Sequence, residues 1–306
     1  MPTTPALPSA AHVPRPAVQA LFTRLIDDAA VFPPGLAPLD RAVSEHLSRR
    51  RYAGLVGPLL VPAAAAGDVG SLAASSGSAI PLRVALVTRP GAASEPVRAA
   101  VDLLRDDAAV EVSGIEIGWS PSWRELLDLG VPVTVEIPRE GHDVALADVA
   151  RGASRTPAVP AVPAVPAVQA KFRTGATDTW TWPDEDELAR FVHGCVGHGV
   201  AFKLTGGLHH AVRGEHGAGA LPDPQHGLLN VLVAVHRAVE GDTTAELGSV
   251  LAERDPGRLA SAVAELTGAE VSAVRAVFTA YGCCSVSDPI DELAALGLLA
   301  HDLDEE

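Results

Sequence analysis

The chain has 306 residues, too long for a small stapled module and enough for one large domain or two ordinary ones. Hydrophobic residues make up 47% of it, which supplies a full core and excludes a disordered chain. Its 23 basic and 38 acidic residues give a formal charge of −15, repelled by phosphate backbones and anionic lipid. Neither a nucleic-acid partner nor a membrane partner is therefore expected. No apolar run reaches the roughly 20 residues of a membrane span. The opening MPTTPALPSAAHVPRPAVQ has no basic n-region followed by an apolar stretch, so no signal peptide is read and a cytoplasmic location is expected. Three cysteines are too few for a disulfide framework, and Cys283 and Cys284 are adjacent.

In chain order, residues 1–16 are rich in Pro, Ala and Ser and read as a mobile tail, with a single domain over 17–306. Short β-branched runs then alternate with amphipathic stretches, the pattern of βα units around a parallel sheet. Strands are expected at Arg24–Ala29, Gly54–Val61, Leu82–Thr88, Gly114–Trp119 and Val131–Ile137, then at Val168–Thr174, Val200–Thr205 and Tyr281–Ser285. Eight such units predict an α/β fold, a closed (β/α)8 TIM barrel; an open doubly wound sheet is the alternative, but no GxGxxG follows the first strand. Asp184–Gly197 reads as a helix: an acidic first turn suits the macrodipole, and Leu188, Phe191, Val192 and Cys195 recur on one face. The PAVPAVPAVPAV repeat within Thr156–Val168 favours polyproline geometry and reads as a spacer. Residues 211–278 exceed the single helix a barrel needs and read as a mainly helical insertion beside the barrel mouth. Whether it acts as a lid or as the interface of a homo-oligomer is left open.

Only Lys171 and Lys203 are lysines; the other basic residues are all arginine. Codon bias explains the missing lysines but not the two that stayed, because arginine cannot supply a neutral amine. Each lies near the end of a predicted strand, and consecutive strands run roughly 4.8 Å apart, so both amines can enter one pocket at the C-terminal face. A neighbouring ammonium lowers a lysine's pKa and leaves a neutral nucleophile able to form a Schiff base. The plain alternative for either is a salt bridge across the barrel. Glu116, inside the otherwise apolar strand GIEIGW, is the candidate acid/base group, because a glutamate there must be paired or working. Glu136 and Asp27 are further acidic candidates able to touch substrate or pair with a lysine. Arg173 shares a strand face with Lys171 and could bind a carboxylate. Trp180 and Trp182 could wall the pocket.

The segment from AKFRTG to KLTGGLHH resembles the paired lysine motifs of the deoxyribose-phosphate aldolase family, within the class I aldolases. RLIDDAAVFPPGLAPLDRAV, GLVGPLLVP, LRVALVTRPGA and GIEIGW follow in that family's order, and YGCCS stands at its last strand. The resemblance implies that Lys171 is the Schiff-base nucleophile, that Lys203 tunes it, and that Glu116 takes the place of the family's aspartate. It also implies a substrate-binding group at Gly206, Gly207 and Ser285, with His209 in the stretch replacing the family's basic residue after the glycine pair. Cys283 and Cys284 depart from the family's small hydroxyl residues. The expected activity is a lyase of aldolase type on a small oxo acid or aldehyde, with dehydratase or isomerase chemistry as variants. It calls for a small-molecule carbonyl substrate and no cofactor. Two other readings compete with it. One is a metal-dependent hydrolase or lyase using Asp27, His209, His210, His226, Cys283 and Cys284; the other is a non-catalytic small-molecule-binding barrel.

Overall fold

In a computed structural model the described residues are 15–49, 52–156, 166–177, 180–216 and 223–300. Most of the Pro-Ala-Val repeat and of the N-terminal tail lies outside them. Eight parallel strands form a closed barrel: β1 (Ile26–Asp28), β2 (Val56–Pro62), β3 (Leu82–Val87), β4 (Val110–Gly118), β5 (Val133–Glu136), β6 (Val168–Arg173), β7 (Phe202–Thr205) and β10 (Phe278–Cys283). Each pairs with its neighbour in sequence around the wall, and β10 closes the ring against β1. The remaining strands, β8 (Gly214–His216) and β9 (Asp223–Gln225), make a separate antiparallel ribbon.

All eight expected segments overlap barrel strands, with altered ends. Arg24 adopts φ +46°, a left-handed conformation that an extended strand cannot hold, so β1 begins only at Ile26. At the other end of the chain β10 starts as early as Phe278, where the preceding helix turns directly into extended backbone.

The wall is buried on both sides, as a parallel barrel requires. Val133, Val135, Ala170, Phe172, Phe202 and Leu204 belong to the apolar layer between strands and helices. Phe172, Phe191, Phe202 and Phe278 form a continuous aromatic seam with successive ring centroids 4.9, 5.1 and 5.3 Å apart. The helix expected at Asp184–Gly197 runs over Glu185–His198. Asp184 caps it in a reciprocal capping box with Glu187, and Gly199 ends it at φ +63°.

Residues 211–278 hold the ribbon and four helices: Leu228–Val239, Thr244–Leu251, Pro256–Glu265 and Gly268–Val277. The ribbon belongs to the mouth, because Trp182 Nε1 donates to Asp223 Oδ1 at 3.2 Å and His210 bridges to Gly227. The helices instead pack against helix Glu185–His198 and against the N-terminal helix Pro16–Phe22. They are wall rather than lid. This corrects the expectation that the whole insertion lies beside the mouth, and the reason is topological: the last of them must lead into β10 from its N-terminal end.

Asn230, fully buried in the first of these helices, accepts from the Arg213 backbone N–H at 2.9 Å. It donates to the carbonyls of Val250 (3.0 Å) and Glu253 (2.7 Å). Asn230→Ala strands these groups without partners, and a loss of about 2 kcal/mol is expected in denaturant titration.

Candidate functional site

Side chains alternate along a strand, so the apolar outward set on β6 leaves Gln169, Lys171 and Arg173 facing the barrel interior. Lys171 and Lys203 are register partners on β6 and β7, and Glu136 is the register partner of Lys171 on β5. Glu116 on β4 completes the group from across the barrel. Its Oε2 accepts from Lys171 Nζ at 3.0 Å, and its Oε1 pairs with Lys203. Strands β4 and β7 are not neighbours, so this contact spans the interior. Lys203 also pairs with Asp27 on β1. Lys171 reaches Glu136 Oε2 at 2.9 Å, and Arg173 Nε reaches the other oxygen of Glu136 at 3.1 Å. Five strands thus supply one chain of alternating charge: Arg173, Glu136, Lys171, Glu116, Lys203, Asp27.

Apart from Arg173, every member is buried. Burial alone would raise the Glu116 carboxyl, but Lys203 and Lys171 outweigh it and hold it at about 2. Glu136 is lowered in the same way, burial being outweighed by Lys171 and Arg173. At Asp27 burial wins over Lys203 and the pKa rises.

The lysines behave opposite to the sequence expectation. Burial pulls Lys171 down, yet Glu136 and Glu116 together raise it above its ordinary value. Lys203 is raised as well, burial being overcome by Asp27 and Glu116. Two neighbouring ammoniums were expected to depress one another, but a shared carboxylate sits between them. Both lysines are therefore charged at rest.

Their setting also corrects the expectation of an opening at the C-terminal face. Lys171 and Lys203 sit within β6 and β7 rather than at their ends, with side chains only 2% and 6% exposed. A cavity of about 750 Å³ reaches Lys203, Glu116 and Asp27 from the opposite end, past residues at the starts of strands such as Arg83 and Gln169. Gln169 belongs to a polar floor that sequence reading missed: it donates to Thr134 Oγ1 at 2.9 Å and accepts from Thr279 Oγ1 at 2.6 Å. Its two-residue spacing from Lys171 was the available signal.

At the C-terminal ends stand the remaining expected substrate-binding residues. Arg173 is 26% exposed and is the one network member that meets solvent. Gly206 and Gly207 turn at φ +70° and +75°, and Gly175 packs against their backbone so tightly that a Cβ there would lie 3.0 Å from Gly206. Ser285 Oγ is held by Asp288 at 2.6 Å. His209 lies between two thiols, Nδ1 3.7 Å from Cys283 Sγ and Nε2 3.6 Å from Cys284 Sγ. Burial raises both thiols and lowers His209, so this is a contact of neutral groups. Trp180 lies under Arg139, with the guanidinium carbon 4.5 Å from its ring centroid.

The residues considered as metal ligands are dispersed. Asp27 serves Lys203, His226 Nε2 meets the Pro183 carbonyl at 2.9 Å, and His210 pairs with Glu292 at 2.7 Å. Among the described residues no group of three or more His, Cys, Asp or Glu could hold a metal ion. None of the three cysteines is bridged. No helix of the described residues is long and apolar enough to cross a membrane. Compared with known proteins, the chain matches no family model and no curated protein.

Proposed function

We propose that the chain is a Schiff-base-forming lyase of class I aldolase type, acting on a small oxo acid or aldehyde through Lys171. The observation that carries this reading is the coupling of the only two lysines, register partners on adjacent strands, through the single carboxylate of Glu116. Stability alone is a weak reason to keep such a group: well-packed apolar side chains generally stabilise a core as well as buried ion pairs do.

In this reading Lys171 must first lose a proton, and Glu116 Oε2 and Glu136 Oε2 are the acceptors within 3.0 Å. The freed amine attacks the carbonyl carbon to give a carbinolamine. Return of the proton to its hydroxyl releases water and leaves the iminium. As the substrate's β-hydroxyl gives its proton to Glu116 or Glu136, the iminium draws the electron pair of the scissile C–C bond, giving an enamine and an aldehyde. Protonation and hydrolysis of the enamine then restore the lysine. Lys203 keeps Glu116 ionised between these transfers, and Arg173 offers its solvent-facing guanidinium to a substrate carboxylate.

Cyanoborohydride trapping with pyruvate or acetaldehyde tests the reading. A stable adduct on Lys171 is expected, growing from pH 7 to pH 10, because a raised lysine pKa makes the neutral amine scarce at neutral pH. Lys171→Arg should abolish it, since a guanidinium keeps its proton. An adduct on Lys203 instead would exchange the roles of the two amines. Absence of adduct on both throughout that range ends the proposal.

A further inference from the structure

We infer that the cavity at the N-terminal ends of the barrel strands binds a small monocarboxylate with an apolar body. Barrels of this architecture place their chemistry at the opposite end, and here Lys203, paired with Glu116 and Asp27, closes the inner end of the cavity. Its volume of about 750 Å³ falls in the usual range for small-molecule pockets, and Pro58, Ile115 and Val271 contribute apolar wall.

Three arginines from separate elements line the same space: Arg24 before β1, Arg83 in β3, and Arg275 in the helix before β10. Arg83 is neutralised by Glu111 at 3.1 Å. Among the described residues Arg24 and Arg275 have no carboxylate within ion-pair distance, in a chain of net charge −15. Arg275 is tied to the backbone carbonyls of Phe278 (3.0 Å) and Thr23 (3.1 Å), which fix its plane without cancelling its charge. Burial lowers it to about 10, with only the distant carboxyl of Asp27 opposing. A partly buried guanidinium held in place and lacking a counter-ion is a preformed anion receptor. Arg24 adds a second sign, since a non-glycine residue at φ +46° is held at a conformational cost in the cavity wall.

The inference does not rest on the Schiff-base reading, and hexanoate, which has no aldehyde or ketone, tests it separately. Calorimetry on the full chain is expected to show saturable hexanoate binding, weakened about tenfold or more in Arg275→Gln and in Arg24→Gln, as for loss of a charge-assisted contact. Because Arg275 also braces the backbone, the exposed Arg24 variant decides the matter if the other fails to fold. Hexan-1-ol binding as tightly as hexanoate would overturn the anion receptor. Inorganic phosphate binding as tightly would reduce the site to general surface attraction and overturn it equally. Crystals soaked in 6-bromohexanoate should place the anomalous bromine signal among Pro58, Ile115 and Val271; a signal elsewhere refutes the assignment.

Discussion

Glu116→Gln is expected to lower stability by about 3–5 kcal/mol at pH 7, the usual cost of removing one partner from a buried ion pair. In a chain of this size that is a fall of roughly 5–8 °C in thermal midpoint. The sign of its pH dependence identifies the cause. In the wild type Lys171 and Lys203 are raised, so their contribution is complete below the unfolded lysine value and is lost as pH climbs through the folded ones. In the variant both ammoniums lose the carboxylate they share, and the folded pKa of each drops. Such a lysine regains stability as pH rises, so the gap between variant and wild type should narrow toward pH 10. A constant gap, or one under about 1 kcal/mol, would show that Glu116 is not balancing both amines.

Lys203→Met acts on the other side of the same balance. It leaves Asp27 without its cation and Glu116 with Lys171 alone, and a loss of about 3 kcal/mol is expected in urea titration at pH 7. Asp27, already raised by burial, answers by taking up a proton, which limits the damage. Glu116 is more telling. Its depression from 4.5 to about 2 corresponds to roughly 3 kcal/mol, present above the unfolded pKa and lost as pH falls through the folded one. Without Lys203 the folded value should rise, leaving a shallower acid limb than the wild type shows between pH 5 and pH 2. An unchanged limb would mean that Lys171 alone holds Glu116 ionised.

What the sequence could reveal here follows the range of each interaction. The alternation in VQAKFR and the isolated charge in GIEIGW are local patterns, and they located Lys171 and Glu116 in barrel strands. The link from Glu116 to both lysines crosses the interior between strands that are not neighbours, which no local period records. That missing link inverted the expected shift of Lys171: Glu116, Glu136 and Asp27 were visible as candidate partners, but not that they surround both ammoniums and outweigh their mutual repulsion. Arg275 illustrates the same limit. In its helix it reads as an ordinary polar position beside Val271 and Val274, and only closure of the barrel brings it to the cavity that Arg24 also lines. Arg24 itself carried no mark in the sequence of its left-handed backbone, which shortened β1.

The burial of the two lysines has a practical consequence for measuring motion in this molecule. Its side chains offer no other primary amine; Lys171 is 2% exposed and lies away from the cavity that reaches Lys203. Acylating reagents bulkier than a small carbonyl substrate therefore do not modify Lys171 while the wall is intact. Each such acyl group found on Lys171 records one opening of the barrel, so its labelling rate reports the opening equilibrium directly, without an added probe. Comparing the two sites would further separate entry through the cavity, which reaches Lys203, from parting of β6 from the ring.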